Sequence, residues 1–372
     1  MKFIVSTGSL LKNLQTIGGV ISTNTVLPIL EDFLFDVRDG KLHVYATDLD
    51  NSMSTVIEIE AKEDGQVAVP ARLLLDILKN LPEQPLSFDI DLENFAIEIT
   101  TDNGKYKLAG ENGEDFPKIP VPEDVKHIEM TTQSLSRAIN HTLFAVSNDE
   151  LRQAMTGVYH ELNEEDLTFV ATDAHKLVRY RRRDVQSSNP SSFIVPKKAL
   201  NLLKSTLPAE GKVRLSYNNN NAFYKFDNIS LICRLIDAKY PDYNAVIPTE
   251  NPNRLLISRL ELIGALRRSV IFANKTTHQV VLKITGSELK ISAQDLDFSN
   301  ESSERLSCNY EGEDMEIGFN ARFLIEMLNT LDTNEVEMQL STPTRAGLIL
   351  PVGQEDENED ILMLVMPVML NG

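Results

Sequence analysis

Over residues 167–207 the spacing of apolar side chains predicts two strands followed by a helix. Leu167, Phe169 and Ala171 alternate with Thr168, Val170 and Thr172, as on a pleated strand, and the turn-prone Asp173 follows. Residues 193–195 read as another strand, and Pro196 stands where a helix would start. Leu200, Leu203 and Leu207 then recur at helical spacing. The same progression appears earlier, at 42–59 and 65–81, and again later, at 289–306 and 315–331.

Three landmarks keep one period. Asp48, Asp173 and Asp295 lie 125 and 122 positions apart, and the helix-ending Leu81, Leu207 and Leu331 lie 126 and 124 apart. Ser9, Ser134 and Ser258, each ahead of a helix-like run, are spaced by 125 and 124. Such self-similarity marks a triplicated unit. The expected domains are 1–121, 122–247 and 248–372, each close to the common domain size. The first repeat predicts a strand at 2–6, a helix at about 9–21 capped by Ser9, and a polar loop at 23–27. Later strands join through hairpin turns at Asp39-Gly40 and Asn103-Gly104. Equivalent helices are expected at 134–146 and 258–272, with proline-rich linkers at 114–124 and 239–252. Two helices and many antiparallel strands per unit give an α+β fold of three tandem copies.

Charge adds a puzzle. The 372 residues carry 36 Lys and Arg against 55 Asp and Glu, a net −19, which as a total opposes binding to phosphate. The basic residues are nevertheless placed with some order. Arg72, Lys198 and Arg322 occupy one position of the repeat, and Arg72 with Lys79, like Lys197 with Lys204, share a helix face at a spacing of seven. Lys12, Arg137, Arg267 and Arg268 lie on the first helices. Any one of these faces alone would read as ordinary solvated helix. Repeated through three units of an acidic chain, they predict a common basic surface that grips phosphates without reading bases.

Two cysteines, Cys233 and Cys308, lie in different repeats and fit reduced thiols rather than a disulfide or zinc site. The N-terminus is too polar for a secretory signal, and the apolar 361–370 segment is too short to span a bilayer, so a cytoplasmic protein with no membrane partner is expected.

No catalytic centre is expected. Phosphate-loop, HExxH and GxSxG patterns are absent from the sequence. His175, alone in a polar turn, reads as structural or as a surface contact. Asp48 and Asp50, like Asp295 and Asp297, lack the glycine and glutamate of a calcium loop and read as solvated turns. No metal and no cofactor are expected. The Arg179, Tyr180, Arg181, Arg182, Arg183 run predicts an exposed sheet edge, and 355–360 an acidic loop in solvent. The 361–370 tail either completes the last sheet or lines a groove, with Met363, Met366 and Met369 suited to several partners.

Taken together, the triplicate unit, ATDAHKL at 171–177, PDYNAVIP at 241–248, EIGFNARFLIEMLNTL at 316–331 and the closing VMPVML resemble the bacterial DNA polymerase III β subunit family of sliding clamps. The resemblance covers essentially the whole chain. It implies a homodimeric ring of six domains, helices lining the hole and sheets outside, encircling double-stranded DNA without regard to sequence. It further implies a groove for short linear motifs of the clamp loader, the DNA polymerase III α subunit, translesion polymerases and mismatch-repair proteins. The groove residues would be Met155, Thr172, Ala174, His175, Lys176, Leu177, Pro241, Val246, Asn320, Phe323 and Pro343. From the tail it would take Val365, Met366, Pro367, Val368, Met369 and Leu370. The basic helix residues named above would face DNA, and Tyr106 and Leu108 would meet Ile271 and Phe272 of the other subunit. The family commonly has glycine where Ala174 stands and arginine where Met369 stands, and two family DNA-contact positions are here Asn24 and Asp149. The competing reading is a three-domain protein-binding scaffold that does not encircle DNA. A hydrolase built on His175 and Asp173 is a distant third, lacking a nucleophile at suitable spacing.

Overall fold

The computed structural model describes residues 1–22 and 27–370. Asn24, most of the loop expected at 23–27, and Asn371-Gly372 lie outside the described residues. Six α-helices are described: α1 (Thr7–Ile17), α2 (Ala71–Lys79), α3 (Thr132–Thr142), α4 (Lys197–Thr206), α5 (Arg259–Ser269) and α6 (Ala321–Thr330). The expected pairs are present, but two expected starts shift. The first-helix caps are Ser6, Thr131 and Ser258, whose hydroxyls accept the backbone N–H of Ser9, Ser134 and Glu261. Ser9 and Ser134 are therefore inside their helices, donating to the cap instead of forming it. Pro196 is likewise the residue before α4, ending the strand Ser191–Pro196. Each helix buries the stripe its spacing predicts, such as Leu10, Leu14 and Ile17 on α1 and Leu324 and Leu328 on α6.

The strands follow one plan three times. An end half-sheet joins the first strand of each repeat to its last three; a middle half-sheet joins the four between. In repeat one the end half-sheet runs Lys2–Ser6, Pro85–Ile90, Ala96–Thr100, Lys105–Ala109. The middle one runs Gly65–Pro70, Asp32–Arg38, Lys41–Thr47, Asn51–Glu58. Phe3, Phe35 and Phe88 fill the core of this repeat, Phe3 and Phe88 stacked with ring centroids 4.7 Å apart.

Successive repeats are joined by strand pairing. Asn51–Glu58 of repeat one pairs antiparallel with Ile229–Arg234 of repeat two, and Lys176–Arg182 of repeat two pairs with Glu359–Val365 of repeat three. Each seam therefore fuses two four-stranded half-sheets, and a short added strand, Glu111–Asn112 in the first and Asn309–Glu311 in the second, makes each a nine-stranded sheet. The chain divides into two compact units around these sheets: Met1–Ser136 with Lys198–Leu235, and Arg137–Lys197 with the chain from Ile236.

The second seam overturns two expectations. The arginine run is no edge: Lys176–Arg182 is a central strand, with Tyr180 0% and Arg182 5% exposed. Nor does 355–360 stay wholly in solvent: Glu355 and Glu357 are exposed in a loop, as expected, but Glu359 and Asp360 enter the strand Glu359–Val365. Register sets Arg182 opposite Glu359 and Arg181 opposite Asp360, and Asp356 lies 2.5 Å from Arg182. The two charged runs meet at this seam, which is how Arg182 and Glu359 can both be buried. The apolar tail completes the sheet as far as Val365.

Candidate partner groove and basic helix faces

The turn after strand Leu167–Thr172 is built by its own side chains. Thr172 Oγ1 donates to Lys176 O at 2.8 Å and accepts from Ala174 N at 3.1 Å. Asp173 Oδ1 accepts the backbone N–H of both His175 and Lys176 at 2.9 Å. Asp173 is thus occupied in shaping the turn, and His175 stands exposed with its ring 6.2 Å from that of Phe323. Ala174 takes φ +75°, a left-handed conformation, as does Leu49 at the equivalent turn of repeat one.

From this turn the tail peels away. Met366 N donates to His175 O, and Val368 N donates to Gly318 O, both at 2.8 Å. Gly318 is needed there: a Cβ would meet Val368 O at 2.6 Å and Leu370 Cδ2 at 2.9 Å. Gln279 Nε2 donates to Met369 O. Met366 and Met369 remain 40% and 67% exposed at the surface so formed.

Lys176 is buried, which would be costly for a lone ammonium. Its Nζ reaches Glu326 Oε2 at 2.5 Å and sits 4.5 Å above the Phe323 ring, a cation–π geometry. Leu177 belongs to an apolar cluster with Leu362, Leu364, Tyr240 and Tyr243, against which Ala154 and Ile247 pack. Met155, Pro241 and Val246 are sequence neighbours of these packing residues; Pro241 and Val246 are exposed and Met155 half-buried. The tail, the 172–177 turn and Phe323 are brought together directly. Asn320 caps α6 through Arg322 N, Val365 is fully buried in the sheet, and Pro343 sits in an exposed turn. Glu326 and Gly318 were not foreseen. A glycine inside the strand Met315–Asn320 was the available signal, since such glycines mark close backbone approach.

The basic residues divide by what they touch. In the first unit Lys12, Arg72 and Lys204 are exposed and form no ion pair among the described residues, Lys79 is near Asp76, and Lys198 pairs with Asp48 at 2.5 Å. In the second, Arg322 is exposed, Arg267 donates to Asn329, Arg268 makes a bidentate pair with Glu304, and Lys197 donates to Asn148. Arg137 fails the expectation. Its guanidinium forms a bidentate pair with the buried Glu359 and a second pair with Asp332, so its charge is neutralised inside the unit. Tyr180 OH also donates to Glu359. Burial pushes the Glu359 carboxyl up, but the hydrogen bonds from Arg137 and Tyr180 outweigh it and hold the group below its ordinary range. His141 stacks on Tyr180 at 5.3 Å, and burial pushes it down to about 4.

Asp48 and Asp295 also differ from solvated turns: Asp48 meets Lys198, and Asp295 is 2% exposed. Among the described residues no group of three or more His, Cys, Asp or Glu is placed to hold a metal, and no helix is long and apolar enough to cross a membrane. Of the expected intersubunit residues, Ile271 and Phe272 are 63% and 40% exposed, whereas Leu108 is buried in its own sheet.

Comparison with known proteins agrees with this arrangement. Models of the N-terminal, central and C-terminal domains of the DNA polymerase III beta subunit match residues 1–120, 129–242 and 244–369 in order. The chain is 30% identical to the beta sliding clamp of Escherichia coli K12 over 373 aligned positions and 28% identical to that of Vibrio cholerae over 372, with full coverage of both chains in each case. The structure of the Pseudomonas aeruginosa DnaN sliding clamp bound to griselimycin superposes with a TM-score of 0.94 at 27% identity, again over the whole of both chains. The chain therefore belongs to the DNA polymerase III beta subunit family, the beta sliding clamps.

Proposed function

We propose that two copies of this chain close head to tail into a ring around duplex DNA and hold a polymerase on its template without chemistry of their own. One observation carries the reading. At both internal seams the last strand of a middle half-sheet pairs with the last strand of the next repeat's end half-sheet. Among the described residues two strands of these kinds have no partner on their outer side: Asn300–Ser307 of repeat three and Lys105–Ala109 of repeat one. Both are sheet edges that invite a further strand. Pairing them between two copies repeats the internal seam twice more and closes the cycle, as a heterologous contact must to avoid a filament. Tyr106, Ile271 and Phe272 would flank that contact, with Leu108 supporting it from inside the sheet.

We place domain boundaries at 121/122 and 247/248; the first falls between the N-terminal and central family models, and the second falls a few residues inside the C-terminal model, which begins at 244. Lys12, Arg72, Lys79, Lys198, Lys204, Arg267, Arg268 and Arg322 are the residues that would meet phosphate, with Lys197 in support. The groove formed by the 172–177 turn, Phe323 and the 366–370 tail would take short linear motifs of the clamp loader, the polymerase α subunit, translesion polymerases and mismatch-repair proteins. Its exposed methionines and buried leucines suit apolar anchors inside a polar rim. A cytoplasmic location follows from that role.

The test is retention. Loaded onto nicked circular DNA, the protein should stay bound through high-salt filtration and be lost once the circle is linearised. Equal loss from circles and linear DNA would instead favour the scaffold reading.

A further inference from the structure

The first nine-stranded sheet carries a trough where the second is filled. In repeat register, Leu177 and Arg179 of the second seam correspond to Ser52 and Ser54 of the first, and Leu362 to Ser230. Leu177 and Leu362 pack beneath Tyr240 and Tyr243 of the second linker. At the first seam, Ser54 pairs directly with Ser230, and Phe116 of the first linker docks to one side, on Leu34 and Ala68. The small side chains leave a cavity of about 930 Å³ between sheet and linker, within the range of pockets that hold ligands. Alternation places it on the face away from the core: Phe33 and Phe35 point toward the interior and α1, and Leu34 and Asp36 toward the cavity.

Its chemistry selects an occupant. Tyr45 flanks Ser54 and Lys225 flanks Ser230 across the sheet, with Phe223 two positions further along, and the linker wall is proline-rich, from Pro117 to Pro122, so it is stiff before anything binds. Four cations line the cavity against two carboxylates. Arg38 pairs with Asp36 and Arg214 with Glu129, leaving Lys118 on the linker and Lys225 on the sheet without an ion pair among the described residues, against one remaining carboxylate, Glu114. On a chain of net charge −19 this local excess is a recognition feature.

We propose that this trough is a second peptide site, distinct from the tail groove, for an extended acidic segment of a partner protein. A leucine or phenylalanine would lie over Ser54 and Ser230, and flanking carboxylates would reach Lys118 and Lys225. Two unpaired lysines make a poor track for a phosphate backbone, which favours peptide over single-stranded nucleic acid.

The experiment is hydrogen exchange and fluorescence anisotropy on the full-length protein. The probes are labelled decapeptides containing one Leu-Phe pair flanked by aspartates or by lysines, and a single-stranded 12-mer. The aspartate-flanked peptide should protect residues 116–122 and 223–232, and K118E with K225E should weaken that binding at least tenfold. The lysine-flanked peptide should leave both segments unprotected. Protection confined to 172–177 and 364–370, an affinity unchanged by the double variant, or protection by the 12-mer in place of the peptide would each overturn the proposal.

Discussion

At the seam between repeats one and two, Ser54 faces Ser230. At the equivalent place between repeats two and three, Arg179 faces Leu362, and two positions along Arg181 faces Asp360. Both seams are antiparallel and join the same pair of half-sheets. Backbone pairing is therefore enough to join repeats, and the side chains are free to serve other ends. The second seam uses that freedom for a buried ion network around Glu359 and an apolar floor on which the second linker packs. The first leaves an open trough.

The largest predicted difference from one substitution tests that division. Glu359→Ala removes the buried carboxylate shared by Arg137, Arg182 and Tyr180, although Arg137 keeps Asp332 and Arg182 keeps Asp184 and Asp356, and should destabilise the second unit by about 3 kcal/mol in urea unfolding. Ser230→Ala in the first seam should cost under about 0.5 kcal/mol. Comparable losses would show that the two seams rely on the same forces.

Acid should separate the units by a margin at least as large. His141 and His160, both in the second unit, are pushed down to about 4 by burial. Above their ordinary value of 6.5 both are neutral whether folded or unfolded, so nothing is lost. As pH falls from 6.5 toward 4 only the unfolded chain takes up these protons, and stability drains away, on the order of 3 kcal/mol per histidine. The depressed Glu359 carboxyl works in the same direction at lower pH: its contribution is present above its ordinary 4.5 and is lost as pH falls through the folded value. Amide exchange, corrected for intrinsic rate, should therefore accelerate in Glu359–Val365 before Ile229–Arg234 between pH 7 and 5. The reverse order would remove the histidines from the account.

The smallest effect concerns the turn. Ala174→Gly relieves a left-handed alanine but loosens the unfolded chain, so the two terms nearly cancel. Thermal stability should change by less than about 0.5 kcal/mol. A gain well above that would mean the turn stores strain.

Much of this was legible in the chain. The 125-residue period, the helix stripes and the two linkers follow from local spacing, which sequence displays directly. What failed was whatever depends on a distant partner. A strand bearing three arginines reads as an edge until Glu359 and Asp360, some 180 positions away, are set in register with it. Arg137 reads as a free cation for the same reason. Ser9 and Ser134 misled because the cap hydroxyl and the residue donating to it lie three positions apart, and both can be serine. The trough at the first seam was invisible, since it depends on which small side chains of strands 51–58 and 229–234 end up opposite each other.

The claim on which the rest depends is that the open edges at 105–109 and 300–307 pair between copies. The solution mass by light scattering, followed from micromolar to nanomolar concentration, tests it most directly. The account predicts a stable mass of twice the 41.7 kDa of one chain. A single-chain mass throughout would leave both edges unpaired and contradict the ring.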